Sequence, residues 1–317
     1  MIGEILETTK STKTIRKSLT MGKNWTPCLL NETGTKTYDR LKINEVATKF
    51  YSGLYNGNPS YAQSLKTLEN QRLEEKVPPF IREEIDLVIK KLKYGKAADP
   101  NGITNEQIKY GGEKLRENLL ILFNKILEKQ QTPSSWKNSN IILIFKKGDR
   151  KKIENYRPIS ISNTIGKIFS SVLNNRLKNI LESQQPMEQA GFRKGFSTTD
   201  HLHVLNHIIE KSNEYQLEIY LLFIDYIKAF DSLEHEFMID ALINQGVPIM
   251  YVKMIIELYS ELKARIITEM EGEYFDVGKG VKQGDPLSSL LFISSLEEIF
   301  RKLNWEKKGI VIDGSYL

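Results

Sequence analysis

At 317 residues, 40% hydrophobic and 27% charged, the chain has an ordinary globular composition, long enough for two domains or one elongated one. Its single cysteine, Cys28, excludes a disulfide framework or a Cys-built metal site; no run approaches the roughly 18 apolar residues of a membrane span, and no basic-then-apolar leader opens the sequence. The net charge of +5 is concentrated: Lys137 to Lys194 carries 12 Lys/Arg against 4 Asp/Glu, a local +8 that leaves 33 against 36 elsewhere and points to a polyanionic partner or, more plainly, a solvated basic surface.

An intracellular protein in a reducing compartment is expected, with nucleus and cytoplasm not separable on these grounds. Residues 1–38 are polar and weakly periodic, and read as a linker or partly ordered lead-in whose Trp25, Leu29 and Leu30 dock on the body of the chain. Leu41, Ile43, Val46, Phe50 and Leu54 predict an amphipathic helix between Tyr38 and Tyr55. A second helix begins after Pro78-Pro79, with Ile85, Val88, Ile89 and Leu92 on one face. Gly95 to Gly102 is a loop by its Asp-Pro and Asn-Gly dipeptides, Thr104 caps a short helix, and a longer helix over 113–131 stops before Pro133.

The period then shortens. Ile141 to Phe145 is a buried strand, residues 146–152 a basic turn and Arg157 to Ile161 a returning strand, giving a hairpin with cations along its inner edge. Helices are expected at about 164–182 and 198–214, then a strand over 218–225 ending at Asp225. Helices near 234–245 and 249–260 precede strands near 263–270 and 273–279. Asp285-Pro286 starts a helix running to about Leu303, because Asp can cap free amides and Pro is pre-set for a first turn. Gly309 to Asp313 reads as a strand.

Five blocks recur in an order that carries a resemblance. They are Gly95-Lys-Ala-Ala-Asp-Pro-Asn-Gly-Ile103, Asn155-Tyr-Arg-Pro-Ile-Ser160, Gln189-Ala-Gly-Phe-Arg-Lys-Gly-Phe-Ser-Thr198, Phe223-Ile-Asp-Tyr-Ile-Lys-Ala-Phe-Asp231 and Val281-Lys-Gln-Gly-Asp-Pro-Leu-Ser288. Over roughly residues 80–317 the chain resembles the reverse transcriptase of non-LTR (LINE-type) retrotransposons, these blocks being similar to its opening block, two fingers motifs and two palm motifs. Residues 20–57, with Gly22-Lys-Asn-Trp25 and Phe50-Tyr-Ser-Gly-Leu-Tyr55, resemble the segment joining that family's endonuclease to its polymerase. The implied fold is α+β: a right-hand polymerase with helical fingers, an incomplete antiparallel palm sheet and no thumb. The implied division is 1–75 joining segment, 76–216 fingers and 217–317 partial palm.

The resemblance implies an RNA-directed DNA polymerase that extends a DNA primer on an RNA template with deoxynucleoside triphosphates and Mg²⁺; protein partners are left open. Two-metal phosphoryl transfer needs clustered carboxylates. Asp225 would be the catalytic metal ligand, with the main-chain carbonyl of Tyr226 as a second contact, and Phe230 the aromatic that excludes a ribose 2′-hydroxyl. Lys146 and Arg157 would contact the triphosphate, the lysine register being open by one residue; Gln283 and Gly284 would lie beside base and ribose, and Arg193 on the template backbone. Lys228 would lie near the triphosphate or be solvated, and Asp285 is expected to cap a helix rather than bind metal. His201, His203 and His207 lack an acid or thiol at suitable spacing to complete a metal site.

Two departures qualify this. No Asp-Asp pair occurs in the chain, so the family's later palm motif is missing, and no endonuclease precedes the joining segment. The expectation is therefore a polymerase fragment with little activity alone, or, from another class, a non-catalytic nucleic-acid-binding remnant.

Overall fold

The computed structural model describes residues 26–57, 59–61, 76–303, 309, 311–312 and 315–316. Gly22 to Trp25 and Asp313 lie outside the described residues. In chain order the elements are β1 (Leu29–Leu30), β2 (Lys36–Thr37), α1 (Arg40–Leu54), α2 (Arg82–Lys91), α3 (Asn105–Tyr110), α4 (Gly112–Lys129), β3 (Asn138–Phe145), β4 (Tyr156–Ile161), α5 (Thr164–Glu182) and α6 (Thr198–Glu214). They continue with α7 (His235–Asn244), α8 (Ile249–Tyr259), β5 (Lys263–Ile267), β6 (Phe275–Asp276), α9 (Ser288–Lys302) and the short pair β7 (Val311–Ile312) and β8 (Ser315–Tyr316).

Two cores result. In α5 the side chain of Asn163 accepts the Gly166 amide at 3.0 Å, which starts the helix, and Ile168, Phe169, Val172, Leu173, Leu177 and Leu181 recur at helical spacing and are fully buried. They pack with Ile85, Val88 and Ile89 of α2 and with Leu119, Phe123 and Ile126 of α4, and the same core continues into α7, α8 and α9. Phe169 is its aromatic centre, with ring centroids 5.7 Å from Phe80, 5.2 Å from Phe123 and 5.6 Å from Trp136. Arg176 on α5 forms a bidentate pair with Glu84 of α2, its Nε and Nη2 each donating to one carboxylate oxygen at 2.7 Å, and lies 4.4 Å over the Phe80 ring. That fork geometry fixes α5 against α2.

The loop expected at 95–102 is held by Asp99, which is 7% exposed. One carboxylate oxygen accepts the amides of Asn101 and Ile103, both at 2.9 Å, and the other accepts the Thr164 amide at 2.8 Å. A single side chain thus closes the loop and satisfies an orphan donor at the start of α5. Thr104 caps α3 as expected, in a reciprocal box with Gln107.

The second core lies between α1 and a four-stranded sheet of order β4-β3-β5-β6. Leu29, Ile43, Ala47, Tyr51 and Tyr55 meet Ile141, Leu143, Tyr156, Ala264 and Ile266. Residues 26–57 therefore form a layer on the sheet, and Tyr51 Oη donates to the Tyr156 carbonyl at 3.0 Å across that interface. The expected antiparallel sheet is corrected here: β3 pairs antiparallel with β4 but parallel with β5, and only β5 and β6 pair antiparallel again. Parallel pairing requires a long crossover, and α5 to α8 supply it between β3 and β5.

The strand expected over 218–225 does not form. No described strand lies beside this stretch, so its apolar alternation has no ladder and no face to bury: Tyr220 is 91% exposed, Leu222 85%, Phe223 79% and Ile227 86%. The preceding helix, α6, is capped by Ser197 but has no buried residue.

His235, fully buried at the start of α7, carries a testable consequence. Its Nε2 donates to the Gly280 carbonyl at 2.8 Å and its ring sits edge-on 5.1 Å from that of Tyr259. Burial depresses its affinity for a proton below the ordinary value of 6.5. A depressed folded-state value means that the unfolded chain takes up the proton first, so this contribution to stability is present above pH 6.5 and is lost as pH falls. Thermal melts from neutral pH downward should show a falling midpoint as acidification passes that value. His235→Gln should lower the midpoint at neutral pH and flatten the dependence; an unchanged slope in the variant would refute the assignment.

Candidate functional site

The basic hairpin is built by short-range chemistry. Gly148 takes φ +89° and a Cβ there would stand 2.8 Å from the Asn155 side chain, while Asp149 accepts the Lys151 amide at 2.9 Å and Asn155 Nδ2 donates to the Asp149 carbonyl at 2.9 Å. Pairing places Ile144 opposite Arg157 and Phe145 opposite Tyr156, and the Lys146 amide continues the ladder to the Asn155 carbonyl at 2.9 Å. Side chains alternate along a strand, so Lys146, Ile144 and Arg157 share one face while Leu143, Phe145 and Tyr156 turn to the core. The Leu30 amide donates to the Lys151 carbonyl at 2.8 Å, which ties the turn to β1.

The second part of the site is a close approach of two segments. The Val281 amide donates to the Phe230 carbonyl and the Gly280 amide to the Leu233 carbonyl, both at 2.7 Å. A Cβ on Gly280 would meet the Asp231 carbonyl oxygen at 2.8 Å, so only glycine permits this approach. Next along, the Gln283 carbonyl accepts the Ser160 amide at 3.0 Å, and Gly284, at φ +110°, lies over Ile159. Ile159 is two residues from Arg157 on β4, and hence on the same face of the hairpin.

A carboxylate joins these pieces. Asp231 is 3% exposed; Gln283 Nε2 donates to both its oxygens at 2.9 and 3.0 Å, and Tyr55 Oη donates to one at 2.8 Å. Burial raises the Asp231 carboxyl above its usual range, opposed by the Tyr55 and Gln283 hydrogen bonds and by Lys228. Burial also pushes the Tyr55 hydroxyl well up, with the charge of Asp231 adding to the effect. Lys228, at φ +49°, is neither free in solvent nor on the hairpin: its ammonium lies 4.8 Å over the Phe50 ring and 5.6 Å over that of Tyr51. Burial lowers its pKa, Asp231 and Glu154 raise it, and Lys146 lowers it, so the two lysines feel each other's charge.

The other expected site residues divide between this unit and the exposed surface. Gln283 spends its side-chain amide on Asp231, while Gly284 stays open beside β4. Phe230 is half-buried, its ring 4.9 Å from that of Phe292 on α9 and 5.8 Å from that of Phe192. Arg193 closes its own loop, donating to the carbonyls of Pro186 and Gln189 at 2.5 and 2.8 Å and covering the Phe196 ring at 4.3 Å. Asp285 accepts the Leu287 amide at 2.9 Å within the turn ahead of α9; the helix begins only at Ser288, with Leu287 at its N-cap position, so Asp285 shapes the turn rather than capping the helix as expected. Asp225 and Tyr226 lie on the exposed, unpaired stretch. Among the described residues no three His, Cys, Asp or Glu side chains converge as cation ligands, the α6 histidines included. One carboxylate and one carbonyl would leave most of a divalent cation's coordination shell to water and substrate phosphates.

Tyr55, Asp231 and the aromatic seat of Lys228 escaped the sequence reading. Their signal was an acid directly after the aromatic Phe230 and a Phe-Tyr-x-x-x-Tyr pattern, Phe50 to Tyr55, on an amphipathic helix. In urea denaturation Tyr55→Phe and Gln283→Leu should each cost about 1–3 kcal/mol. Both serve one carboxylate, so the double variant should deviate from additivity by about 0.5 kcal/mol or more; additive losses would show that the donors act separately.

The description "Reverse transcriptase (RNA-dependent DNA polymerase)" belongs to the family whose pattern matches residues 144–312. The chain is 24% identical over 293 residues to the "Transposon TX1 uncharacterized 149 kDa protein" of Xenopus laevis, covering 90% of this chain and 22% of that one. It is 30% identical over 231 residues to the "Probable RNA-directed DNA polymerase from transposon X-element" of Drosophila melanogaster, covering 70% of this chain and 25% of the relative. To the "Retrovirus-related Pol polyprotein from type-1 retrotransposable element R2" of Nasonia vitripennis it is 29% identical over 210 residues, covering 65% and 20%. The chain thus spans only about a fifth to a quarter of the length of these relatives. With the pattern covering more than half of its residues, the chain belongs to the reverse transcriptase (RNA-dependent DNA polymerase) family, among those of non-LTR retrotransposons.

Proposed function

We propose that this chain supplies the nucleotide-selecting and primer-template-holding part of a right-hand RNA-directed DNA polymerase, with fingers over 76–216 and part of the palm over 217–317. One observation carries the reading: three segments far apart in sequence are bonded into one unit through Ser160 to Gln283, Gln283 to Asp231 and Phe230 to Val281. In that unit Lys146 and Arg157 neutralise the triphosphate of an incoming deoxynucleotide, the lysine as a point charge and the arginine as a fork. Phe230 bounds the ribose and disfavours a 2′-hydroxyl, and Gly284 lets the chain come close to the sugar. Gln283 acts here through Asp231, holding Gly284 against β4. Arg193 shapes the loop that meets the template.

Asp225 offers one carboxylate, with the Tyr226 carbonyl beside it, toward the Mg²⁺ that such polymerases use. Since the described donors fall short of a cation site, extension by this chain alone is expected to stay at the background of Asp225→Ala, with poly(rA) template, oligo(dT) primer, Mg²⁺ and dTTP. Asp225-dependent extension would overturn that part.

Binding is the more direct test. A primed poly(rA) substrate should bind in a salt-dependent way, and on that complex Lys146→Glu with Arg157→Glu should weaken dTTP binding about tenfold or more. Equal affinity for the variant would overturn the role given to the hairpin face.

A further inference from the structure

We propose a second nucleic-acid contact outside the basic block: an exposed tyrosine pair, Tyr94 and Tyr110, ringed by lysines, which stacks the bases of a single strand. Tyr94 follows the end of α2 and Tyr110 ends α3; they are 58% and 74% exposed, with ring centroids 6.4 Å apart, planes tilted by 40°, and Tyr110 Oη donating to Tyr94 Oη at 3.3 Å. Neither ring contributes to a core. They border an open groove of about 610 Å³ that Lys90, Lys109 and Arg116 also line.

The cations around the pair are only partly compensated. Lys90, Lys91, Lys93 and Lys96 make no ion pair among the described residues, and Lys109 shares its charge with Glu106 on the same helix. Of the nearby acids, Asp86 pairs with Arg82 and with Arg116 at 2.8 Å and Glu113 pairs with Arg82, while Glu106 accepts the Gly95 amide at 2.6 Å and keeps its charge. Glu83 remains as the one opposing charge lining the groove without such a partner among the described residues. Lys109 is positioned by its neighbours, donating to the Lys90 carbonyl at 3.2 Å and lying 4.2 Å over the Tyr94 ring. Aromatic faces beside unpaired cations suit a polyanion whose bases are unstacked, since stacking accepts any base while lysines track the backbone. A duplex keeps its bases stacked inside and offers the rings nothing.

The surface sits just before the loop that Asp99 fixes to α5, so it is rigidly joined to the hairpin that α5 follows. RNA and DNA single strands share the recognised chemistry, and both are arms of the test. Fluorescence anisotropy of the full chain with oligo(A), oligo(dA) and a duplex of matched length, at low salt, should show Tyr94→Ala with Tyr110→Ala weakening both single strands about fivefold or more and sparing the duplex. Tyr94→Phe with Tyr110→Phe should retain wild-type affinity, because the faces remain. Should the alanine pair fail to fold by circular dichroism, Lys90→Glu with Lys93→Glu and Lys96→Glu, all at exposed positions, should weaken single-strand binding by a similar factor. Single-strand affinity within about twofold of wild type in these variants, or an equal loss for the duplex, would overturn the proposal. Lys146→Glu with Arg157→Glu in the same assay separates the two surfaces: if that variant alone loses single-strand binding, the strand runs on the hairpin and the tyrosine surface falls.

Discussion

The site's geometry depends on one buried acid. Asp231 sits nearly out of water, where a carboxylate without hydrogen-bond partners would cost several kcal/mol, so its lone pairs must be met from within the fold. The donors come from opposite ends of the sequence: Tyr55 beyond α1 and Gln283 ahead of α9. Because the Gln283 backbone also holds Ser160 on β4, satisfying this carboxylate fixes the hairpin face, the Phe230 turn and the Gly280 approach in one arrangement.

A consequence is that the site is not contained within its most recognisable part. Tyr51 and Tyr55 belong to the layer that α1 places on the sheet, outside the stretch matched by the family pattern, yet they close the second core and reach the Asp231 turn. Lys228 is drawn into the same junction, its charge resting on two α1 rings. On the other side, Asp99 anchors the loop before α3 to the first turn of α5, so the helical core and the hairpin are positioned together. The ion pair of Arg176 with Glu84 has a similar effect at the far end of α5.

Against this hydrogen-bonded unit stands the stretch carrying Asp225. A strand exists only through its ladder, and the apolar residues from Leu217 to Ile227 find none among the described strands, so most of them remain exposed, and the helix α6 before them buries no residue. The chemistry proposed for Asp225 needs neighbours of the same charge type; the chemistry proposed for Lys146 and Arg157 needs only the hairpin. These halves of the site therefore differ in how far this chain builds them.

Periodicity and turn chemistry are local, so they sufficed for α1, the loop at Asp99, the Thr104 cap, the hairpin and α5, and the five ordered blocks identified the family from residue types alone. The strand at 218–225 had the correct alternation but no partner, because pairing is a tertiary fact that no single segment encodes. The parallel β3 to β5 register depends on a crossover through four helices and had no local sign. The Tyr55, Asp231 and Gln283 cluster joins residues 176 and 52 positions apart, and only burial tells that such an acid is a structural keystone rather than one more surface charge. Sequence by itself determined the elements and the lineage, because both follow from near-neighbour chemistry; the tertiary structure alone decided which side chains desolvate together, and with that which parts of the site are held in place.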